Sequence, residues 1–239
     1  MRRCRYLHQG TFRDGVIQGD SVDGIPLAQV TLAPPCLPSK IVAVGLNYRK
    51  HAEEMNKPLP AEPLLFIKPS TAVNGPGQPI LPPPESEDVQ HEAELGLVIG
   101  TRLHCASDAD AARGIFGLTC HNDVTARDIQ RREIQHTRAK SYDTFSCLGP
   151  WIETERDPKD LRILCRVNGA VRQDGRTSDM IFPPAKLVAF ISRIMTLLPG
   201  DVVSSGTPSG VGPLRTGDVV EVEIEGVGTL RNPVAAPRA

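Results

Sequence analysis

Twenty-two prolines and 21 glycines punctuate this chain of 239 residues, and no other feature constrains its folding so tightly. Proline disrupts a helix interior or a central strand, and glycine marks turns. A helical bundle is therefore excluded, and many short strands joined by turns are expected. The best helical pattern is "PPAKLVAFISRIMTLL" (183–198): Pro184 suits a first turn, and Leu187, Val188, Ile191, Ile194, Met195 and Leu198 recur at helical spacing. Short helices are expected in "NYRKHAEEM", "DADAAR" and "TARDIQRREIQ". Buried strands are expected in "KIVAVGL", "HEAELGLVIG" and "GIFGLTCHND". Asn168-Gly169 between two β-like runs predicts a hairpin. Strict βαβ alternation is absent, so the expected class is α+β, mainly β.

Residues 1 to about 33 alternate short apolar stretches with turn signals, and "APPCLPSK" (33–40) supplies a boundary. The expected organisation is a small N-terminal β appendage, 1–37, followed by a larger catalytic domain, 38–239. Charges nearly cancel, with 27 basic against 28 acidic residues, and aromatics are only 4%. That balance argues against nucleic acid and against an anionic membrane as partners. No apolar run approaches the roughly 20 residues of a membrane helix, and the basic N-terminus lacks the apolar stretch of a signal peptide. The six cysteines are scattered without a C-x-x-C pair, which reads as reduced thiols in a cytoplasmic enzyme.

Two strands carry alternating glutamates, and they differ. In "VVEVEIEG", Glu221, Glu223 and Glu225 alternate with Val220, Val222 and Ile224, the pattern of a half-buried strand with a wet face. In "HEAELGLVIG", Glu92 and Glu94 share a face that continues as Gly96 and Val98, while Ala93, Leu95, Leu97 and Ile99 form the other. This strand enters a core with its carboxylates at the mouth. Burying like charges needs a positive partner, and paired carboxylates suit a hard divalent cation such as Mg²⁺ or Mn²⁺. The bland alternative is an exposed strand end. Asp123 offers a third oxygen where "GIFGLTC" ends in "HND", although Asp123 or Asn122 capping the next helix explains the same residues. Arg127 and Gln130 lie three apart on that helix, with Lys140 beyond it; each read singly is a solvated surface residue. His51 and Glu54, at i and i+3 in "NYRKHAEEM", have the spacing of an imidazole oriented by a carboxylate, as in a general base. "SSGTPSGVGP" lacks the Gly-Lys-Ser/Thr of a phosphate loop, but its backbone N–H groups could receive a substrate carboxylate.

Taken together, "VGLNYRKHAEEM", "PLLFIKPSTAVNGPG", "HEAELGLVIG", "NDVTARDIQ", "RAKSYDTF", "VNGAVRQDGRTSDMIF", "LLPGDVVSSGTPSGVGP" and "GDVVEVEIEGVG" resemble the fumarylacetoacetate hydrolase family, in family order, over residues 38 to 234. The resemblance implies layered, mixed β-sheets forming a β-roll with short peripheral helices, and a homodimer. It implies a Mg²⁺ or Mn²⁺ site made by Glu92, Glu94 and Asp123. It places Lys140 and Gln130 against substrate near the metal, with Arg127 in support, and Thr207 in a loop that receives a carboxylate. His51 and Glu54 match the dyad that hydrolases and decarboxylases of the family use. The implied substrates are 2-oxo or enol (di)carboxylic acids, reacting through a metal-stabilised enolate. The reactions implied are C–C hydrolysis of an acylpyruvate or isomerisation of a 2-hydroxymuconate-type diene acid, in aromatic catabolism. Oxaloacetate-type decarboxylation and non-catalytic dicarboxylate binding are the alternatives. "KSYDTFSCLGPWI" and "EGVGTLRNPV" look like the bacterial diene-dioate isomerases, whereas His51 with Glu54 resembles the acylpyruvate hydrolases. Substrate choice is expected to rest on loops 56–63 and 82–90.

Overall fold

The computed structural model describes residues 1–237; residues 238 and 239, the last two of the expected larger domain, lie outside the described residues. Strand dominates, as the proline and glycine content requires, in three sheets with short helices around them. The largest sheet has twelve strands. From its interior to one edge it runs Ser146–Glu153, Ile115–Asp123, Ala93–Ile99, Val202–Ser204, Lys40–Gly45 and Leu64–Pro69 in spatial order. All neighbours in that run are antiparallel except Val202–Ser204 with Lys40–Gly45. A four-stranded sheet, Ala170–Arg176, Arg162–Val167, Val219–Ile224 and Gly228–Pro233, packs over the Ala93–Ile99 and Ile115–Asp123 strands. The main core fills the space between, with Leu95, Leu97 and Ile99 from one side and Ile163, Val220, Val222 and Ile224 from the other. Each such side chain, fully buried, contributes roughly 1.5–3 kcal/mol.

The N-terminal strands extend the large sheet. Arg2–His8 pairs with the edge of the large sheet, Arg2 opposite Glu153 and Arg3 opposite Ile152, and the chain's amino group meets Glu153 Oε1 at 2.8 Å. Cys4, Tyr6, Ile17 and Val22 form a small cluster of their own that also covers Trp151.

Local expectations hold at the hairpin, where Asn168 (φ 52°) and Gly169 (φ 80°) join Arg162–Val167 to Ala170–Arg176 in a two-residue turn. The longest helix stops earlier than its apolar pattern. It spans Pro184–Ile194, and Met195 is extended at its C-cap, so Leu198 lies beyond it. Ile194, although on the apolar period, is 58% exposed and so is not part of the buried stripe. The helix in "TARDIQRREIQ" is likewise short, Arg127–Arg132, and no side chain caps it: its N-cap position is Ala126. The capping explanation for Asp123 and Asn122 therefore fails, and both side chains are employed elsewhere.

Candidate active site and metal centre

Glu92 falls where the chain changes sheets. Val89–His91 belongs to a three-stranded sheet with Thr125–Ala126 and Gly212–Pro213, whereas Ala93–Ile99 belongs to the large one. Asp123 ends the neighbouring strand, and its N–H donates to Glu92 O at 2.9 Å while Glu92 N donates to Asn122 Oδ1 at 3.0 Å. This lock brings three buried carboxylates, Glu92, Glu94 and Asp123, to one point, with a ligand oxygen of each within 4.8 Å of the others.

The positive partners are present. Lys140 Nζ donates to Glu92 Oε2 (2.8 Å), Asp123 Oδ2 (2.6 Å) and Thr125 Oγ1 (2.8 Å), and stands 5.0 Å over the Phe66 ring. Arg127 bonds Glu92 Oε1 and Gln130 Oε1, and its Nε donates to Gln90 at 2.9 Å. Lys68, wholly buried, bonds Asp123 Oδ1 and donates to Phe145 O at 2.7 Å. Burial alone would raise the pKa of Glu92 and Asp123. Lys140, with Arg127 at Glu92 and Lys68 at Asp123, outweighs burial and holds both carboxyls below their ordinary range.

Glu94 is different. It makes no ion pair among the described residues; its Oε2 takes hydrogen bonds only from the Ser204 hydroxyl and Gly206 N (2.9 Å). Burial, then the charges of Asp123 and Glu92, push its pKa up to about 8. A dry all-carboxylate donor set short of positive charge at one member is what a hard divalent cation completes, so these residues fit one.

The triad opens into a cavity of about 380 Å³ that His51, Arg127, Gln130, Lys140 and Thr207 also line. Of the nine residues singled out from sequence, eight line this cavity. Glu54 stands behind His51, its Oε2 3.0 Å from His51 Nδ1. The helix that carries both, Arg49–Glu54, follows the Lys40–Gly45 strand. The glycine-rich loop does not offer its N–H groups freely: Gly206 N is taken by Glu94 and Gly210 N by Glu54 (3.0 Å). Gly206 (φ 91°) has no alternative, because a Cβ there would lie 2.8 Å from Asn47 Cβ and 3.0 Å from Val44 O. Thr207 Oγ1 donates to Ala93 O (2.9 Å) and accepts from Gln173 (2.7 Å).

The expected loops divide. Lys57, with Met55 and Leu64, lines the cavity, but no residue of 82–90 does; Gln90 reaches it only through Arg127. The opposite wall comes instead from 131–136, with Arg131, Ile134 and His136. Sequence reading also passed over Lys68, although alternation sets it on the same strand face as Leu64 and Phe66, both cavity residues. It missed Ser204 and His121 too, which form a chain behind Glu94 with His121 Nδ1 2.5 Å from Ser204 Oγ.

Comparison with known proteins adds the lineage. The profile of the fumarylacetoacetate (FAA) hydrolase C-terminal domain matches residues 40–235. The chain belongs to the fumarylacetoacetate hydrolase family. Among solved members, a 5-carboxymethyl-2-hydroxymuconate delta-isomerase from Mycobacterium smegmatis superposes with a TM-score of 0.93 at 45% identity, covering 100% of both chains. A maleylpyruvate hydrolase from Sphingobium sp. SYK-6, solved with manganese(II) and pyruvate, matches at 30% identity and a TM-score of 0.86, again over 100% of both. A mitochondrial oxaloacetate tautomerase of Bos taurus is 43% identical over 245 residues, 96% of this chain and 78% of that one. Family members of this kind are enzymes acting on small acids, and the mainly β architecture is theirs.

Proposed function

We propose that this chain is a cytoplasmic, divalent-metal-dependent enzyme that moves protons on 2-oxo and enol dicarboxylic acids. The observation that carries the reading is His51, backed by Glu54, in the same cavity as the buried Glu92, Glu94 and Asp123. The triad would hold Mg²⁺ or Mn²⁺, which supplies Lewis acidity to the keto and carboxylate oxygens of a bound 2-oxo acid. Glu54 fixes Nδ1 of His51, leaving Nε2 to take a proton from the substrate carbon or return it to the enol. Lys140 and Gln130 contact substrate beside the cation, Arg127 orients both Gln130 and Glu92, and the 207 loop receives the reacting carboxylate. Lys57, exposed on the rim with no ion-pair partner among the described residues, suits the distal carboxylate of a diacid. A homodimer is the assembly expected of the family.

Isomerisation or tautomerisation ranks first because relatives above 40% identity include isomerases and oxaloacetate tautomerases, whereas the maleylpyruvate hydrolase is at 30%. No water is consumed: one proton leaves and one is delivered. C–C hydrolysis of an acylpyruvate is the second reading, favoured by the dyad. There His51 takes a proton from water, the oxygen adds to the distal carbonyl, and the cleaved pair leaves as an enolate that is then protonated.

The test is a panel of acetylpyruvate, fumarylpyruvate, oxaloacetate and a hydroxymuconate-type diene acid, with Mg²⁺ and Mn²⁺, on wild type, Glu92→Ala and His51→Ala. Glu92→Ala should lose cation binding and turnover together; activity surviving in that variant after full chelation would overturn the reading. Loss of hydrolysis with isomerisation spared in His51→Ala assigns His51 to water, and equal loss assigns it to proton transfer on carbon. Release of CO₂ from oxaloacetate would move the enzyme to decarboxylation. Tight dicarboxylate binding with no turnover anywhere would make it a binding protein.

A further inference from the structure

The glycine-rich loop has a second side. Behind it lies another cavity, of about 570 Å³, lined among others by His91, Arg172, Arg215 and Gly212. His91 is completely buried, and its Nε2 has no hydrogen-bond partner among the described residues. An unmet polar group in such a place costs about 1–3 kcal/mol.

The protonation of this ring follows from its neighbours. Gln173 must turn its nitrogen towards Pro208 O (2.8 Å), which only accepts, and its oxygen towards Ala93 N (3.0 Å), which only donates. That oxygen is 3.0 Å from His91 Nδ1, so Nδ1 carries the proton and donates it. In the neutral ring Nε2 then keeps its lone pair. The residue paired opposite is Gly212, and a Cβ there would sit 3.5 Å from Nε2. With no side chain at Gly212 between them, His91 borders the cavity at this point, its Nε2 buried just beneath the wall.

Among the described residues neither the Arg172 nor the Arg215 side chain pairs with an acid, whereas the nearby Asp218 is already satisfied by Asn168 Nδ2 (2.8 Å) and Arg215 N (2.7 Å). Two cations and one hydrogen-bond acceptor call for a ligand that is an anion and also a donor.

We propose that this cavity is a second ligand site, for a small oxyanion that carries its own hydroxyl, held by Arg172 and Arg215 with the hydroxyl donating to His91 Nε2. Hydrogen phosphate and 2-hydroxycarboxylates share that chemistry, and sulfate lacks it. The site adjoins the reacting one: Gln173 links His91 to Thr207, and Gly210 N holds Glu54. Any effect on turnover rests on the proposed function, but binding does not.

The test is calorimetric titration of the metal-free full-length protein with inorganic phosphate, lactate and sulfate. Phosphate or lactate should bind at least about tenfold tighter than sulfate, whichever of the two is preferred naming the source. Gly212→Ala, whose methyl makes an ordinary contact over Nε2, should erase that preference without changing thermal stability. Arg172→Ala/Arg215→Ala should abolish binding, while Lys57→Ala, on the other cavity, should not. Equal affinity for sulfate, or phosphate binding that survives the double arginine variant, would overturn the proposal.

Discussion

Two strands of this protein alternate glutamate with aliphatic residues, and their fates are opposite. Along Val219–Ile224 every aliphatic position but the first is buried, while Glu221 and Glu223 stay half-exposed, each within reach of an arginine across the sheet. Along Ala93–Ile99 every residue is buried, and the glutamates at its head are too. The first strand lies in a sheet with one wet face. The second is central in the large sheet: the smaller sheet covers its Leu95, Leu97 and Ile99 face, and on the other face Ser204, Gly206, Lys140 and Arg127 close over the carboxylates. Burial without solvent demands counter-charge, and Lys68, Lys140 and Arg127 supply it for two of the three acids. What makes a functional acid here is the absence of a wet face, not the alternation itself.

The hardest test of this contrast removes one glutamate from each strand. Glu94→Ala should lower turnover by at least about 10³-fold and abolish cation binding, since a bound Lewis acid is worth several kcal/mol. Glu223→Ala should leave both within twofold. Metal titration by calorimetry and steady-state rates at saturating Mg²⁺ decide it; a Glu223→Ala variant as damaged as Glu94→Ala would dissolve the distinction.

The cations should divide in the same way. Lys68→Met fills the same space but leaves Asp123 with Lys140 alone, and breaking a buried pair costs roughly 3–5 kcal/mol. Arg166, 2.5 Å from Glu223 with both side chains partly exposed, should cost no more than about 1 kcal/mol when changed to alanine. Urea denaturation in a chelator measures both. Added Mg²⁺ should restore part of the loss in Lys68→Met and none in Arg166→Ala, because the cation replaces the charge that Asp123 lost.

How far this was legible in sequence depends on the range of the interaction. Asn168-Gly169 encodes its own turn, and the Glu92/Glu94 face follows from alternation, so both were readable locally. The end of the long helix was not: Leu198 keeps the apolar period after the chain has turned away to pair Leu103 with Leu197. The capping role open to Asp123 failed because the lock with Glu92, across two strands, claims that residue first. Lys68 was hidden because a lysine in a strand reads as an edge charge until its partner is known to be buried. The same limit applies to 131–136, which form the cavity wall expected from 82–90; which loop folds over the strand ends is decided by the sheet order, and no local pattern states it.

The finest difference between the two strands is protonic. Glu94 has a folded-state pKa of about 8 against an ordinary 4.5, because it is buried and faces Asp123 and Glu92, with the Lys140 charge and the Ser204 hydrogen bond only partly offsetting them. Between those values the folded chain binds more protons than the unfolded one, so metal-free stability should fall as pH rises. Burial lowers the pKa of His91, His121 and His136, which gives the opposite slope below their ordinary 6.5 and nothing above it. From about pH 6.5 to 8 the loss expected from Glu94 is about 1.5 kcal/mol. The amino terminus, raised by Glu153, adds to the fall near pH 8 and buried Lys68, lowered, opposes it, so the Glu94 share is the difference from Glu94→Gln. Glu94→Gln should flatten that slope, and Glu223→Gln should leave it unchanged. Saturating Mg²⁺ should flatten it as well, releasing about one proton per cation near pH 7, a number calorimetry in two buffers of different ionisation enthalpy reads directly. A slope unchanged in Glu94→Gln would mean that the uncompensated charge of the triad resides on another carboxylate.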